Sequence, residues 1–237
     1  MSKEVQVENE RQNVGMRVIR RIERPPAEVV AGFQDVDSTF VTDAMHRFYG
    51  MHGNIRPAAP GMSCCGPAVT VRVAPGDNLM VYAAFEVAQP GDVLVIESRG
   101  FTSVAQWGDQ TSLAARKLGL AGVVMDGSIR DLDGIVEVGF PVFSQPVVVP
   151  NGALKDGPGE VNVPVAVGGV PVLPGDIVVA TSSGVAVVPR DDAAAILTRA
   201  RALVDAEPGK MARIEAGRTV PDELEGWLRS KGVEMVG

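Results

Sequence analysis

The sequence contains few of the residues that form disulfides or bind transition metals. Only two of its 237 residues are cysteine and only two are histidine. Cys64 and Cys65 are adjacent, and adjacent residues rarely satisfy disulfide geometry, so we predict two packed thiols. His46 and His52 lie apart from any cluster of cysteines or carboxylates. A transition-metal site built from Cys and His is therefore disfavoured.

Excess positive charge and long apolar runs are also absent. The formal net charge is −7 and the isoelectric point is near 4.9, so the overall field would repel phosphate backbones. No apolar run is long enough to span a membrane, and the charged start has no signal-peptide core. Neither Gly127 nor Gly168-Gly169 forms a dinucleotide or Walker fingerprint. We expect a soluble, cytoplasmic protein with no nucleic acid and no membrane as a partner.

The apolar content is sufficient for a large core. Hydrophobic residues make up 46% of the chain and charged residues 22%, while 27 glycines and 17 prolines predict many turns. The tripeptide Pro-Gly-Asp occurs at 75–77, 90–92 and 174–176, in the pattern of a type II turn. We interpret the recurrence as reuse of one turn, not as a structural repeat.

Hydrophobic periodicity predicts a mixed α/β layered domain. Helices are predicted over 27–33, 38–48, 79–88 and 110–118, with a short one after Ser128 and a long one from Asp191 to about 206. Strands are predicted over 68–73, 93–97, 123–125, 142–144, 147–149, 161–167, 177–181 and 185–188. The charged tail from Pro208 is predicted to be helical in places.

Most candidate chemical residues lie in the stretch 107–139, WGDQTSLAARKLGLAGVVMDGSIRDLDGIVEVG. Asp109 is predicted to cap one helix and Ser128 another, and the elements between them could bring Asp109 close to Arg130-Asp131. Two neighbouring carboxylates suit a hard divalent ion such as Mg²⁺. A guanidinium suits a substrate carboxylate or oxyanion, because its planar fork donates two hydrogen bonds at once. The pattern indicates a combined metal and anion site.

A purely structural interpretation competes with this one. In it, Asp109 only caps a helix, while Arg130 and Asp131 lie on a solvated helix face. Spacing alone favours this structural interpretation, because capping Asp residues and surface Arg-Asp pairs are common. Nucleophilic alternatives are weaker, because no serine has an evident base nearby and no lysine, Lys155 included, lies on a predicted apolar strand where it could form a Schiff base.

The same stretch resembles the RraA-like family. The likeness is carried by Gly108-Asp109, the run KLGLAGVVMDG at 117–127 and the run SIRD at 128–131, and it extends over about residues 30–206. The family includes divalent-metal-dependent 4-hydroxy-4-methyl-2-oxoglutarate aldolases, which carry an Asp, twenty intervening residues and then Arg-Asp. Asp109 and the pair Arg130-Asp131 satisfy that spacing. The later run GGVPVLPGDIVVATSSGVAVVPRDDAAAIL supports the same likeness.

The resemblance implies an α/β fold, a layered swivelling β/β/α-type domain with N-terminal helices and a long C-terminal helix. It implies an N-terminal arm at 1–24, a catalytic domain at 25–206 and a helical tail at 207–237 at a subunit interface. Part of the stretch also resembles the phosphohistidine motif of swivelling phosphocarrier domains. Leu113 stands where those domains have the phosphorylated His, so phosphocarrier chemistry is excluded.

The resemblance also implies a role for each candidate residue. Asp131 would hold Mg²⁺ or Mn²⁺, and Asp109 would orient a water on that ion. Arg130 would contact the keto or enolate oxygen of the substrate. The backbone amides of Gln110 and Thr111 would bind the pyruvyl carboxylate.

A further carboxylate is expected from the C-terminal helix of a neighbouring subunit. Glu207, acting through water, is the better match, and Glu215 is the alternative. The site would then lie between protomers of a homotrimer or of a dimer of trimers.

The implied activity is metal-dependent retro-aldol cleavage of 4-hydroxy-4-methyl-2-oxoglutarate or 4-carboxy-4-hydroxy-2-oxoadipate, a small-molecule 2-oxo acid substrate. The reaction releases pyruvate, and oxaloacetate decarboxylation is an expected side activity. Two departures from the aldolases bear on the substrate: Gln110-Thr111 replaces two leucines, and Ser182-Ser183 replaces acidic residues. Two alternatives stay open, a lyase or decarboxylase for another 2-oxo acid and a non-catalytic, protein-binding trimer like the regulator of ribonuclease activity.

Overall fold

Seven α-helices and thirteen strands occupy residues 13–152 and 154–237, the residues that the computed structural model describes. The helices are α1 (Ala27–Ala31), α2 (Ser38–Asp43), α3 (Leu79–Phe85), α4 (Asp109–Lys117), α5 (Leu132–Val138), α6 (Ala193–Glu215) and α7 (Leu224–Ser230). The strands are β1 (Met16–Val18), β2 (Arg56–Pro57), β3 (Cys64–Val73), β4 (Val93–Glu97), β5 (Ala105–Trp107), β6 (Gly122–Met125), β7 (Ser128–Ile129), β8 (Val142–Ser144), β9 (Gly159–Val161), β10 (Val165–Val167), β11 (Val170–Val172), β12 (Ile177–Thr181) and β13 (Gly184–Val188).

The long strand β3 belongs to two sheet layers. Its second half pairs in parallel with β4 and in antiparallel with β9, inside a sheet ordered β1-β9-β3-β4-β6-β8-β2. Its first half pairs in antiparallel with β12, which forms a hairpin with β13. One continuous strand therefore connects the larger sheet to the layer that contains the β12–β13 hairpin.

Central strands of both layers, such as β4 and β12, bury both of their faces, which explains why their sequences are largely apolar. Val93 and Val95 pack toward the β10–β13 layer, whereas Leu94 and Ile96 pack toward α3, α4 and α5. In β12, Val178 packs against the larger sheet, and the alternate residues pack against α1, α2 and α6. Successive side chains of a strand point to opposite faces, so an uninterrupted apolar run is needed between two covered faces. The result is a four-layered α–β–β–α arrangement.

This architecture confirms the predicted layered α/β class, its N-terminal helices and its long C-terminal helix. Strands β4, β8 and β12 have the predicted bounds. The predicted strand 161–167 is wrong in extent, because Asn162 has a φ of +60° and the chain divides there into β9 and β10. A strand at 147–149 is also wrong, since Val147 makes only an isolated bridge to Ile129.

Two predicted helix ends differ from the observed ones by more than three residues. The helix predicted over 38–48 ends at Asp43, and His46 and Arg47 then adopt positive φ angles of 56° and 71°. Helix α6 continues past the predicted end near 206 to Glu215, with Pro208 inside it. A proline lacks the N–H that an interior helical residue donates, so α6 tolerates one missing hydrogen bond there. The boundary predicted between 206 and 207 thus falls inside one helix.

The predicted arm at 1–24 is only partly within the described residues, which begin at 13 and include β1 from Met16. Asp191, predicted as the cap of the long helix, instead belongs to a 3₁₀ turn, Arg190–Asp192, that precedes α6. The described helices include none that is both long and apolar enough to cross a membrane.

The two cysteines are free thiols on β3, as predicted. Burial raises the pKa of the Cys64 thiol well above its ordinary value, and it raises the pKa of Cys65 to about 12. Thiolate is the nucleophilic form of cysteine, so these two residues are structural rather than reactive.

Each Pro-Gly-Asp turn is closed by a buried carboxylate. Asp92 accepts hydrogen bonds from the Arg24 guanidinium at 2.7 and 3.0 Å, and Asp176 accepts from the Leu173 and Arg190 amides. Asp77 accepts from the Leu79 amide at 2.8 Å. It also accepts, over a long sequence distance, from the amides of the segment 156–157 at 2.8 and 3.0 Å. The first turn therefore fixes the start of α3 to the loop that precedes β9.

We expect Asp77→Ala to lower the free energy of unfolding by about 3 kcal/mol, because three partly buried backbone N–H groups lose a buried, charged acceptor. Denaturant-induced unfolding followed by circular dichroism measures the change. Asp156→Ala is the control, since it removes an exposed carboxylate from the same loop. Equal unfolding midpoints for the two variants would contradict the assigned role of Asp77.

Candidate functional site

A short parallel strand pair joins the start of the stretch 107–139 to the segment that directly precedes Arg130. Ala105 pairs with Ser128 and Trp107 with Ile129, and the Arg130 amide donates to the Trp107 carbonyl at 3.1 Å. The carboxyl ends of parallel strands lie at the same edge. The residues that follow β5 and β7, Asp109 and Arg130-Asp131, therefore emerge side by side.

The prediction that Ser128 caps a helix is wrong. Ser128 lies in β7, and its hydroxyl donates to the Thr102 carbonyl at 3.0 Å. Asp131 is the residue before α5 and has a left-handed φ of +54°. The prediction that Asp109 caps α4 is also wrong, because Gly108 occupies the cap position and Asp109 is the first helical residue. The Asp109 carboxylate accepts from the amide of Gln110 at 2.6 Å.

Two glycines allow the carboxylate-bearing residues to pack closely against neighbouring backbone, Gly108 directly after β5 and Gly134 inside α5. A Cβ added to Gly108 would lie 2.8 Å from Oδ2 of Asp131, and one added to Gly134 would lie 2.8 Å from Cβ of Asp109. Real Cβ atoms essentially never come so close to other atoms. The absence of side chains at both positions is therefore a condition of the observed arrangement.

Trp107 anchors this edge in the core. It is 2% exposed, stacks on Phe140 with a centroid distance of 6.1 Å and meets Phe85 edge to face. Its indole N–H donates to the Ser112 hydroxyl at 2.7 Å, which satisfies its one polar group and fixes the first turns of α4. Asp109 consequently follows a rigid, buried residue.

All five residues predicted for the site within this chain line one open cavity of about 210 Å³: Asp109, Gln110, Thr111, Arg130 and Asp131. Nε of Arg130 lies 3.1 Å from Oδ2 of Asp131, and the two side chains are 38% and 40% exposed. The Arg130 cation and the carboxylates of Asp109 and Asp131 face one cavity. The structural interpretation, a helix cap and an unrelated pair on a solvated helix face, does not describe this geometry.

The donor set in the cavity fits a hard divalent ion. The described residues contain no group of three or more His, Cys, Asp or Glu side chains suited to a metal. Mg²⁺, however, is commonly held by one or two carboxylates, while waters and substrate complete its coordination. Asp109 and Asp131 supply that minimal set, and their oxygens suit Mg²⁺ or Mn²⁺ rather than a soft metal.

Glu207 and Glu215 lie on α6, away from the cavity of their own chain. The Glu207 carboxylate is 3.4 Å from the ammonium of Lys210. Both residues were predicted to act in a neighbouring subunit, and their contribution stays a prediction.

Gln110 and Thr111 differ in what they present to the cavity. The buried Thr111 hydroxyl accepts from the Gly108 amide and donates to the Gly108 carbonyl, both at 2.9 Å. It closes the first turn of α4 and is not free for a ligand. The Gln110 side chain is exposed, while the backbone N–H of Gln110 already donates to the Asp109 carboxylate. That both amides bind a substrate carboxylate stays a prediction.

The lining residues that the sequence did not predict include Asn78, Tyr82 and Lys155, which lie on one side of the cavity. Lys155 had been considered only as a Schiff-base amine. Its Nζ instead lies 5.5 Å from the centroid of the Tyr82 ring. The only sequence signal for this side of the cavity was the Pro-Gly-Asp turn that ends at Asp77, whose carboxylate holds the backbone after Lys155.

We expect Gly134→Ala to lower the free energy of unfolding by about 1–3 kcal/mol, because the methyl group overpacks against Asp109. Replacing Gly by Ala inside a helix ordinarily stabilises it by roughly 0.5–1 kcal/mol. Gly209→Ala in α6 is the matched control, since an added Cβ there meets nothing within 4 Å. If both variants raise the denaturant midpoint alike, Gly134 is not required for the close approach.

Comparison with known proteins gives the family. The model of the family described as RraA-like, Aldolase/RraA, matches residues 38–187. A protein of Halalkalibacterium halodurans provisionally named 4-hydroxy-4-methyl-2-oxoglutarate aldolase is 37% identical over 174 residues, covering 73% of this chain and 82% of the relative. A Thermus thermophilus protein named 4-hydroxy-4-methyl-2-oxoglutarate aldolase is 35% identical over 113 residues, covering 48% of this chain and 68% of the relative.

The fold is shared with solved structures of the same family. Streptomyces coelicolor RraAS2, described as an unusual member of the RNase ES inhibitor RraA protein family, superposes with a TM-score of 0.71 at 32% identity. The match covers 81% of this chain and 99% of that one. The family match spans more than half of the chain and includes Asp109, Arg130 and Asp131, and the chain belongs to the RraA-like family.

Proposed function

We propose that this protein is a divalent-metal-dependent carbon–carbon lyase. Its substrate would be a 4-hydroxy-2-oxo dicarboxylic or tricarboxylic acid, 4-hydroxy-4-methyl-2-oxoglutarate or 4-carboxy-4-hydroxy-2-oxoadipate, and one product would be pyruvate. The observation that carries the proposal is the convergence of Asp109, Arg130 and Asp131 on one open cavity. The names of its similar relatives support the reaction class.

Asp131 would hold the ion directly, and Asp109 would hold it through water. When bound, Mg²⁺ or Mn²⁺ supplies a Lewis acid that polarises the 2-oxo group of the substrate. The two carboxylates lie at the ends of short elements anchored by Trp107, so their positions are fixed before substrate binds.

Arg130 would stabilise the charge that develops when the carbon–carbon bond breaks. The electron pair of that bond moves toward the 2-oxo carbonyl, and an enolate oxygen forms there. A guanidinium already held at the cavity would need little reorganisation to reach this oxygen, and one such donor typically contributes a few kcal/mol. A water held by Asp109 would accept the proton of the C4 hydroxyl and would return a proton to the pyruvate enolate. Decarboxylation of oxaloacetate passes through the same enolate and is the proposed side activity.

We expect Arg130→Ala to reduce kcat/KM for pyruvate release by at least about 100-fold, since one preorganised donor is lost. A coupled assay with lactate dehydrogenase and NADH follows the pyruvate. Arg229→Ala is the control, because that side chain is 80% exposed on α7. Near-equal rates for the two variants, with unchanged circular dichroism, would remove Arg130 from the mechanism.

Removal of divalent ions should abolish turnover. We expect protein dialysed against a chelator to release no pyruvate from 4-hydroxy-4-methyl-2-oxoglutarate, and added Mg²⁺ or Mn²⁺ to restore the rate. Asp131→Asn should need a much higher ion concentration for half-maximal activity, because a neutral amide is a weaker ligand for a hard cation. A full rate in the chelated protein would refute the metal requirement.

A protein-binding regulator is the second candidate, favoured by the similarity to Streptomyces coelicolor RraAS2. A regulator of that kind has no need for a charged cavity, whereas this chain has Asp109 and Arg130-Asp131 there. The pyruvate assay separates the candidates, since a regulator would turn over no 2-oxo acid. If pyruvate appears only from other 2-oxo acids, the exposed Gln110 next to Asp109 is the first residue to test for the changed specificity.

A further inference from the structure

We infer that Lys155 binds the second carboxylate of a dicarboxylic 2-oxo acid, at the side of the cavity formed by Tyr82 and Asn78. The inference rests on the proposed function. It assigns a binding residue to the second carboxylate of the substrate, for which Arg130 and Asp131 provide no partner.

The charges of the cavity motivate the inference. Its lining contains two carboxylates, Asp109 and Asp131, and two cations, Arg130 and Lys155. Arg130 already has a carboxylate partner within 3.1 Å. Among the described residues, no carboxylate lies within the 4.0 Å ion-pair distance of Lys155. With a divalent ion held by the carboxylates, the cavity carries two net positive charges, which matches a dianion such as a 2-oxo dicarboxylate.

The surroundings of Lys155 hold its ammonium at the cavity without neutralising it. The Tyr82 ring, on α3, attracts the cation through its π face but supplies no countercharge. The backbone directly after Lys155 is fixed by Asp77, which accepts hydrogen bonds from the amides of Asp156 and Gly157. A long, flexible side chain therefore projects from a fixed backbone.

Asn78 adds a polar group to the same side. It is 3% exposed, it lines the cavity, and its carboxamide oxygen has no hydrogen-bond partner in the structure. A buried polar atom without a partner costs free energy, and a catalytic or ligand-binding role is one of the explanations for such an atom in a native structure. The oxygen accepts a hydrogen bond from the substrate hydroxyl or from a water that moves with it, after a small rotation of the amide.

Lys155 and the Arg130–Asp131 pair thus bind opposite ends of one molecule. The 2-oxo carboxylate end lies at Arg130 and Asp131, and the far carboxylate lies at Lys155. The cavity consequently distinguishes dicarboxylic from monocarboxylic 2-oxo acids by charge, and Lys155 is the residue that determines this specificity.

The kinetic test compares two substrates and three variants. Wild type, Lys155→Met and Lys155→Arg are assayed with Mg²⁺ on 4-hydroxy-4-methyl-2-oxoglutarate and on the monocarboxylic 4-hydroxy-2-oxopentanoate. We expect Lys155→Met to lower kcat/KM on the dicarboxylate by about 10–100-fold, mainly through KM, as one charge-assisted hydrogen bond is lost. The rate on the monocarboxylate should change by less than about threefold, and Lys155→Arg should retain most of the activity. Lys117→Met, at the exposed end of α4, is the control.

Binding measured by calorimetry separates failure of this inference from failure of the proposed function. We expect 2-oxoglutarate, titrated with Mg²⁺ present, to bind wild type about 10–100-fold more tightly than it binds Lys155→Met. The monocarboxylic 2-oxobutyrate should bind both alike. This pattern without pyruvate release would refute the lyase and retain the subsite. Equal binding of 2-oxoglutarate by both proteins, no binding by wild type, or an equal kinetic loss on both substrates would overturn the role of Lys155.

Discussion

The parallel pairing of β5 with β7 is the constraint on which the candidate site depends. Its hydrogen bond from the Arg130 amide to the Trp107 carbonyl closes a loop of more than twenty residues onto itself. The pair is only two or three residues long, so it cannot be stable alone; the burial of Trp107 against Phe140 and Phe85 stabilises it. The hydrophobic core and the chemistry are therefore linked through one aromatic side chain. The larger sheet supports the β5–β7 pair indirectly, because its apolar face packs against α4 and α5, the helices that follow these two strands.

Close approach of backbone and carboxylate is the second requirement of the site. Gly108 and Gly134 are ordinary in sequence, and neither has a positive φ that would demand glycine. Their role is steric: each leaves the space that a carboxylate or its stem occupies. A motif written only as Asp, a spacer and Arg-Asp omits these two positions, although the geometry of the motif depends on them.

The sequence predicted what is local and failed where contacts are distant. Asp109, Arg130 and Asp131 lie within one stretch of short elements, so their proximity could be predicted, as could strands such as β4 and β12 that are covered on both faces. The pairing of β5 with β7 could not be predicted, because strands of two or three residues have no periodic signal. Lys155 and Asn78 were missed for another reason: the contact between Asp77 and the 156–157 amides spans about eighty positions, and the Pro-Gly-Asp turn at Asp77 does not indicate which distant segment it binds. Helix α6 extends beyond its predicted end near 206 to Glu215. The helical conformation of the residues after Pro208 outweighs the hydrogen bond that is lost at this proline.

The buried carboxylate of Asp77 has a consequence for how the cavity can open. It is the shared acceptor for the amide that starts α3 and for two amides of the loop that bears Lys155. If the loop moved away while α3 stayed in place, one oxygen of the buried Asp77 carboxylate would lose both of its hydrogen bonds. Helix and loop are therefore coupled through one carboxylate, because opening of either segment breaks hydrogen bonds to the same buried acceptor. The start of α3 and the loop at 155–157, which are remote in the chain, therefore form one connected wall of the cavity.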